Sequence, residues 1–247
     1  MRFVVGVSLI ALACAAVLPA LAQSEETAVP VVQASFHVPA MKNELGTVLI
    51  INIPPGRNSG FHIHSQDSFS VNIEAADMTN QNFGSTQVTP PNRAQIGRIL
   101  YTPYYEEGER THKATNVGPT HFHNVSFLFA SRTPHGFTPS TRPQGYEQLD
   151  DNKRYRAWRL MLQPGQSVPA FKQGAPGLRV IVSGGELTES IPGQPDRGMK
   201  PREGEFFWQD AGVTRAVKNT GTTPLNIVEV ESNRRGTRGR TCRDGCG

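Results

Sequence analysis

Three histidines form the group of residues most suited to chemistry in this sequence. His62 and His64 are separated by one residue, and His112 follows later in the chain. Successive side chains of a β-strand point to opposite faces, so His62 and His64 would project to the same side. With a third imidazole from a neighbouring strand they would offer a metal three nitrogen ligands and leave positions open for water or substrate. We therefore predict a divalent transition-metal site for Fe, Mn, Cu, Ni or Zn; the alternative is a polar sheet face that holds no metal.

The elements around these histidines are predicted to be β-strands. Short apolar and aromatic runs alternate with Pro/Gly turns, and no long stretch shows the 3.6-residue apolar period of a helix. Small closed barrels or double sheets of short antiparallel strands are typical of this pattern. The histidines would then lie on strands inside or on the surface of such a barrel.

The chain contains two copies of one unit. The Pro55-Gly56 turn and residues 61–73 match the Pro164-Gly165 turn and residues 170–182 at an offset of 109 positions. Further on the offset is 103 positions, because the first copy has a longer connection between residues 80 and 111. Such self-similarity predicts tandem domains. The predicted organisation is a signal peptide at 1–22, an N-terminal arm at 23–44, a first domain at 45–130, a linker at 131–154, a second domain at 155–231 and a basic tail at 232–247.

The first copy resembles the cupin superfamily, and the duplication makes the chain similar to a bicupin. The first cupin motif has a Pro-Gly turn and His-x-His, which His62 and His64 match, and the second ends in His-x-x-x-Asn, which His112 and Asn116 match. The resemblance implies an all-β chain with two tandem cupin domains, which are double-stranded β-helix or jelly-roll barrels. It also implies that the three histidines bind one metal inside the first barrel and that the protein is a homodimer.

One position departs from the cupin pattern. The first motif places a glutamate four or five residues after its second histidine, where this chain has Ser68 and Phe69, with Asp67 one residue earlier. Either Asp67 reaches the metal or the three histidines are the only ligands. Asp67 and Tyr101 are the candidates for residues that support the ligands from behind. The missing glutamate argues against the chemistry of cupins whose carboxylate ligand matters, such as oxalate-decarboxylase-like proteins, and leaves open three-histidine sites such as those of thiol dioxygenases.

The second copy lacks the histidines of the first. Phe171, Gln173 and Arg215 stand at the positions of His62, His64 and His112, so no imidazole remains to bind a metal. The second domain is predicted to be structural or a dimerisation module. The alternative is a metal-free pocket in which Arg215 holds an anion.

A polar strand face follows the His-x-His pair in the first copy. Strand alternation puts Ser68, Ser70, Asn72 and Glu74 on one side. This side either lines a polar substrate pocket beside the metal or faces solvent. The sequence leaves both alternatives open.

The other histidines and cysteines are given no part in the metal site. His121 and His123 form a second His-x-His pair at a position where cupins place no ligands, and a surface or supporting role is expected. His37 and His135 have no companions that would give them a role. Cys242 and Cys246 near the chain end are expected to form a small disulfide loop.

The N-terminus predicts export. Arg2 is followed by an apolar run over residues 3–13, and Ala20-Leu21-Ala22 has the small-x-small form that signal peptidase cleaves. We expect cleavage after Ala22 and a periplasmic or secreted protein; the alternative is a retained membrane anchor. No second apolar stretch is long enough for a transmembrane helix, so we expect no stable membrane insertion.

The net charge of +4 does not indicate a nucleic-acid partner. Residues 232–247 contain five arginines and one aspartate, so residues 23–231 are close to neutral. The tail has no aromatic residue to stack on bases, which argues against a single-strand binding surface. We therefore expect a solvated tail and no nucleic-acid binding.

Two classes of function fit these observations. The first is a metal-dependent enzyme that acts on a small polar molecule by O2-dependent cleavage or by decarboxylation. The second is a non-catalytic cupin that binds a small ligand or a metal. The fold hosts both classes, so the geometry of the site has to separate them.

Overall fold

The computed structural model describes residues 26–134 and 136–232. The predicted signal peptide, His135, and the basic tail after Ser232 with Cys242 and Cys246 lie outside the described residues. Within them, no helix has the length and apolar character needed to cross a membrane.

The described residues are almost all in β-strands and connections and form two barrels, each built from two sheets. The first half contains a 3-10 turn at Val31–Gln33, helix α1 at Tyr104–Glu107, and strands β1 (Val29–Pro30), β2 (His37–Lys42), β3 (Gly46–Ile53), β4 (His62–His64), β5 (Ser68–Asn72), β6 (Asp77–Asn82), β7 (Asn92–Arg93), β8 (Ile99–Thr102), β9 (Arg110–Asn116) and β10 (Phe122–Phe129). The second half contains β11 (Tyr146–Asp151), β12 (Tyr155–Leu162), β13 (Ser167–Lys172), β14 (Gly177–Ser183), β15 (Leu187–Ser190), β16 (Arg197–Met199), β17 (Phe206–Gln209), β18 (Thr214–Asn219) and β19 (Leu225–Ser232).

The sheets have corresponding strand orders in the two barrels. In the first barrel the orders are β1-β4-β9-β6-β7 and β2-β3-β10-β5-β8; in the second they are β13-β18-β15-β16 and β11-β12-β19-β14-β17. His62 pairs with His112 in the first barrel, and Phe171 pairs with Arg215 at the same place in the second. This shared register fits the predicted internal duplication.

Each repeat begins one strand earlier than the sequence analysis predicted. β2 pairs with β3, and β11 pairs with β12 at corresponding positions, so residues 37–42 and 146–151 belong to the sheets rather than to an arm and a linker. Both are edge strands with a bulge, and β2 carries Pro39 while β11 is largely polar. Bulges, prolines and charged residues are common on edge strands. They interrupt the alternation of apolar and polar residues by which a strand is predicted from sequence.

Strand alternation also explains how the barrels pack together. Along β10, Val125, Phe127 and Phe129 point outward into an apolar cluster shared with the second barrel, where Leu178 and Val230 meet them. The residues between them on β10 point into the first barrel. The two barrels therefore share one buried apolar interface, and the interior face of β10 is left free to line a site.

Candidate metal centre

The three predicted metal ligands lie together on adjacent antiparallel strands. His62 and His64 are on β4 and His112 is on β9, directly opposite His62. One ligand atom from each lies within 4.8 Å of the others, and the Nε2 atoms of His64 and His112 are 3.1 Å apart. The Nδ1 of His62 donates to the Gly60 carbonyl at 3.1 Å, which leaves its Nε2 lone pair available. The three side chains thus converge as a set of nitrogen donors.

All three histidines are held in the neutral form that binds metals. Burial lowers the pKa of His62. Burial, with the neighbouring histidines, lowers the pKa of His64 to about 2 and that of His112 to about 3. A metal needs the unprotonated imidazole, so no proton has to be displaced at neutral pH. Three convergent neutral nitrogens fit a divalent transition ion, with open positions on it.

A fourth histidine beside the cluster was missed by the sequence analysis, which gave His37 no role. His37 is buried on β2, its ring centroid lies 5.0 Å from that of His62, and its Nδ1 donates to the Ser35 carbonyl at 2.9 Å. Burial lowers its pKa to about 4. His37 is not part of the three-histidine ligand group, and its place in a bulged edge strand explains why sequence spacing gave no signal.

Tyr104 is a second residue that sequence reasoning missed. It lies in the four-residue helix α1, is buried, and stacks on His64 with ring centroids 4.9 Å apart and planes at 18°. Burial raises the pKa of its hydroxyl, so it is neutral at physiological pH. A helix this short has no amphipathic period that a sequence could show.

The histidines lie in the wall of a cavity of about 250 Å³. Ser68, Ser70 and Asn72 line it, as the pocket alternative of the sequence analysis predicted, whereas Glu74 does not. The described residues that line the cavity include no aspartate and no glutamate. Further lining residues are Asn80, Arg93, Arg98, Thr102, Tyr104, Asn124 and Ser126. The lining thus combines these polar groups with apolar side chains such as Met78 and Phe122, and its charged side chains are Arg98 and Arg93, the latter paired with Asp77.

Asp67 and Tyr101 lie away from this pocket. Asp67 is fully buried, and its carboxylate accepts from Arg154 Nε at 2.6 Å, from the Tyr105 amide at 2.7 Å and from the Tyr101 hydroxyl at 3.1 Å. Neither Asp67 nor Tyr101 lines the cavity, and Asp67 is not in the ligand group. Of the two alternatives for Asp67, the site with three histidine ligands fits this geometry, because the Asp67 oxygens are bonded to Arg154, Tyr105 and Tyr101. Ser68 lines the cavity where the motif has glutamate.

The second barrel has charged pairs where the first has its site. Arg215 is buried and bonds to Gln209 and to Glu189, and Arg179 pairs with both Glu189 and Glu229 at 2.8 Å. These partners of Arg215 fit the prediction of a structural second domain better than the alternative of a metal-free pocket in which Arg215 holds an anion. The second barrel holds no metal-ligand cluster among its described residues.

The second His-x-His pair is remote from the ligand group. The Nδ1 of His121 lies 2.7 Å from Asn52 Oδ1 on an exposed surface. His123 is half-buried and packs so closely on Gly204 of the second barrel that a Cβ there would lie 2.3 Å from its ring. These contacts fit a surface role for His121 and a packing role for His123 between the barrels.

Solved structures share this architecture. AerE from Microcystis aeruginosa superposes with a TM-score of 0.55 at 10% identity, over 81% of this chain and 99% of AerE. Salicylate 1,2-dioxygenase from Pseudoaminobacter salicylatoxidans, in a structure with gentisate adducts, gives 0.52 at 13% identity, over 76% of this chain and 68% of that enzyme. The chain has the cupin fold. At these identities the likeness concerns the fold alone. No protein-family model and no curated protein sequence matches the chain.

Proposed function

We propose that the protein is an exported bicupin enzyme that uses one divalent transition metal in its first barrel to act, with O2, on a small polar molecule. The observation that carries the proposal is the convergence of three neutral histidines in the wall of a cavity that also presents hydroxyl and amide side chains. A cavity of about 250 Å³ has room for a small molecule, which a purely structural metal site would not need.

The ligand set favours oxygenase chemistry over decarboxylation of the carboxylate-assisted type. Asp67 is tied to Arg154, so the described residues offer three histidines and no acid. A metal on this set would supply Lewis acidity and open positions for substrate and O2. Salicylate 1,2-dioxygenase, with the same fold, is a dioxygenase by name, which supports the same class for this chain.

The cavity lining indicates how the chain would bind its substrate. Ser68, Ser70 and Asn72 present hydroxyl and amide groups to the cavity, and His37 adds an Nε2 that is not used by Ser35. Tyr104 covers one face of His64 and keeps water from it. Because no carboxylate lines the cavity, a metal on three neutral ligands would keep its positive charge there. We therefore propose a substrate that carries a negative charge.

Metal analysis of the mature protein tests the site. Residues 23–247 should hold close to one metal per chain, and a His62→Ala/His64→Ala variant should lose it. His121→Ala is the matched control because it removes an exposed imidazole outside the cluster. Metal-free wild-type protein that also takes up none of the five candidate ions on dialysis would overturn the proposal.

Oxygen uptake separates the enzyme from a binding protein. The metal-loaded protein should consume O2 with a member of a panel of thiols, diketones, catechols and dicarboxylates, and the double variant should not. Release of CO2 without O2 uptake would contradict oxygenase chemistry and indicate a decarboxylase. A panel member that binds, as seen by calorimetry, with no turnover would instead favour the non-catalytic function.

Export and assembly are further parts of the proposal. The predicted signal peptide supports export, and N-terminal sequencing of protein recovered from the periplasm or medium should begin at Gln23. The cupin resemblance supports a homodimer. Sizing chromatography that shows only monomer across the micromolar range would contradict the dimer. It would have no bearing on the proposed metal site.

A further inference from the structure

A buried ion pair between Arg154 and Asp67 joins the two barrels. Arg154 lies just before β12 of the second barrel, and Asp67 lies at the corner between β4 and β5 of the first. Arg154 Nε and Asp67 Oδ2 are 2.6 Å apart, and the side chains are 1% and 0% exposed. Charged groups this deeply buried are stable only when they keep their partner, so the pair fixes the position of the Asp67 carboxylate.

The same carboxylate holds helix α1. Asp67 Oδ1 accepts the backbone N–H of Tyr105 at 2.7 Å, and the Tyr105 hydroxyl donates to the Phe129 carbonyl at 2.9 Å. The Arg154 guanidinium also lies over the Tyr105 ring, 5.3 Å from its centroid. Helix α1 is a single turn and too short to be stable alone, so these contacts hold it in place together with the bond from Arg132 Nη1 to the Tyr105 carbonyl at 3.3 Å.

Helix α1 in turn places Tyr104 on a predicted ligand. Tyr104 precedes Tyr105, and its ring stacks on His64 at 4.9 Å and 18°. This stacking limits rotation of the His64 imidazole, whose Nε2 faces that of His112. A shift of α1 would therefore free the His64 ring and open that side of the cavity to water.

The repeat shows that the barrel corner itself does not need this carboxylate. Pro176 stands at the corresponding position of the second barrel. Both corners keep the same backbone bond, from Phe129 N to the Asp67 carbonyl at 2.9 Å and from Ser232 N to the Pro176 carbonyl at 3.0 Å. The Asp67 side chain is thus an addition found only in the barrel that has the histidine cluster.

We infer that Arg154 and Asp67 are positioning residues that hold Tyr104 against His64, so that the second barrel supports the candidate metal centre of the first. The effect of this role on metal binding rests on the proposed function, whereas the position of Tyr104 does not depend on a metal. The two can be measured separately.

Hydrogen exchange at the Tyr105 amide measures the positioning in the full chain without metal. Arg154→Met should speed this exchange at least tenfold, since it leaves Asp67 without its partner. Asp67→Asn/Arg154→Met is the second variant, because it leaves no unpaired buried charge and keeps the protein foldable. Lys153→Met is the matched control: Lys153 pairs with Glu106 of α1 at the surface, and its loss should leave the exchange within twofold of wild type.

Zinc affinity, measured by chelator competition, tests the consequence. Arg154→Met should weaken Zn²⁺ binding by about tenfold, the lower range for loss of a residue that orients a ligand. In a Tyr104→Ala background the same substitution should have almost no further effect, because its route through Tyr104 is already removed. A general loosening of the fold would instead weaken binding in both backgrounds.

The outcomes separate the two proposals. Unchanged Tyr105 exchange in the Asp67→Asn/Arg154→Met variant overturns the positioning role. Faster exchange together with wild-type zinc affinity shows that α1 moves without affecting His64, and also overturns it. Wild-type protein that binds no metal removes the proposed function, while the exchange result still decides whether Arg154 holds α1.

Discussion

The two barrels share a strand register and differ in what fills them. Ser126 of β10 pairs with Ser70 of β5, and at the corresponding place in the second barrel Glu229 of β19 pairs with Arg179 of β14. The serines line the cavity of the first barrel. The arginine and glutamate join in a buried ion pair. One scaffold therefore gives a pocket where these side chains are short and a closed interior where they are long and charged.

The difference extends to the ligand positions. His112 opposite His62 makes a cluster of neutral nitrogens, whereas Arg215 opposite Phe171 joins the charged network. Although burial opposes its ionisation, Arg179 and Arg142 hold the pKa of Glu229 below its usual value. The buried arginines and glutamates of the second barrel are thus paired with one another. The first barrel instead keeps uncharged imidazoles that can bind a metal. Binding capacity here therefore depends on a few interior side chains rather than on the fold.

The largest expected effect comes from breaking the charged interior. Glu229→Gln should lower the free energy of unfolding by about 3–5 kcal/mol, because Arg142 and Arg179 lose a buried partner. Ser126→Ala, at the matching position of the first barrel, removes one neutral hydrogen bond and should cost about 1 kcal/mol. Urea unfolding at pH 7 measures both. Equal costs for the two substitutions would show that the second interior is not held by its charges.

The next effect is stabilisation of the first barrel by metal. Zinc at a hundred times its dissociation constant should raise the free energy of unfolding by about 2.7 kcal/mol. The rise should vanish in His112→Ala, because the cluster then has two histidines, and should persist in Arg215→Lys, which changes the matching position of the second barrel. A rise that survives in His112→Ala would place the zinc elsewhere and contradict the proposed site.

The sequence predicted those parts of the site that lie on regular strands, where the alternation of side chains agrees with the pairing of the strands. Two regular paired strands carry His62, His64 and His112. The alternation of side chains puts Ser68 and Ser70 on one face, and both line the cavity. Strand geometry and the repeat therefore predicted the histidine cluster and the shared face of the serines, but left open whether that face lines a pocket or meets solvent.

The remaining features depend on contacts between distant segments. His37 is in an edge strand whose bulge breaks the alternation, and Tyr104 is in a single helical turn placed by Asp67. Asp67 lies near the position of the cupin glutamate in sequence, but its partner Arg154 is in the other repeat. Proximity along the chain therefore left two alternatives open for Asp67, because pairing across the barrel interface decides where its carboxylate points.

The smallest effect concerns the acid response of the metal-free first barrel. The pKa of His37 falls from 6.5 to about 4 on folding, so its contribution to stability is present above pH 6.5 and is lost as pH falls toward 4. Each pH unit in this window costs up to about 1.4 kcal/mol for one such group. His37→Asn should therefore flatten the fall in unfolding free energy between pH 6.5 and 4.5, measured by urea unfolding with chelator present. His121→Asn, at an exposed histidine, should keep the wild-type slope. If His37→Asn keeps that slope as well, His37 is not buried as a neutral group beside the cluster, and the cavity wall on the β2 side differs from the one described.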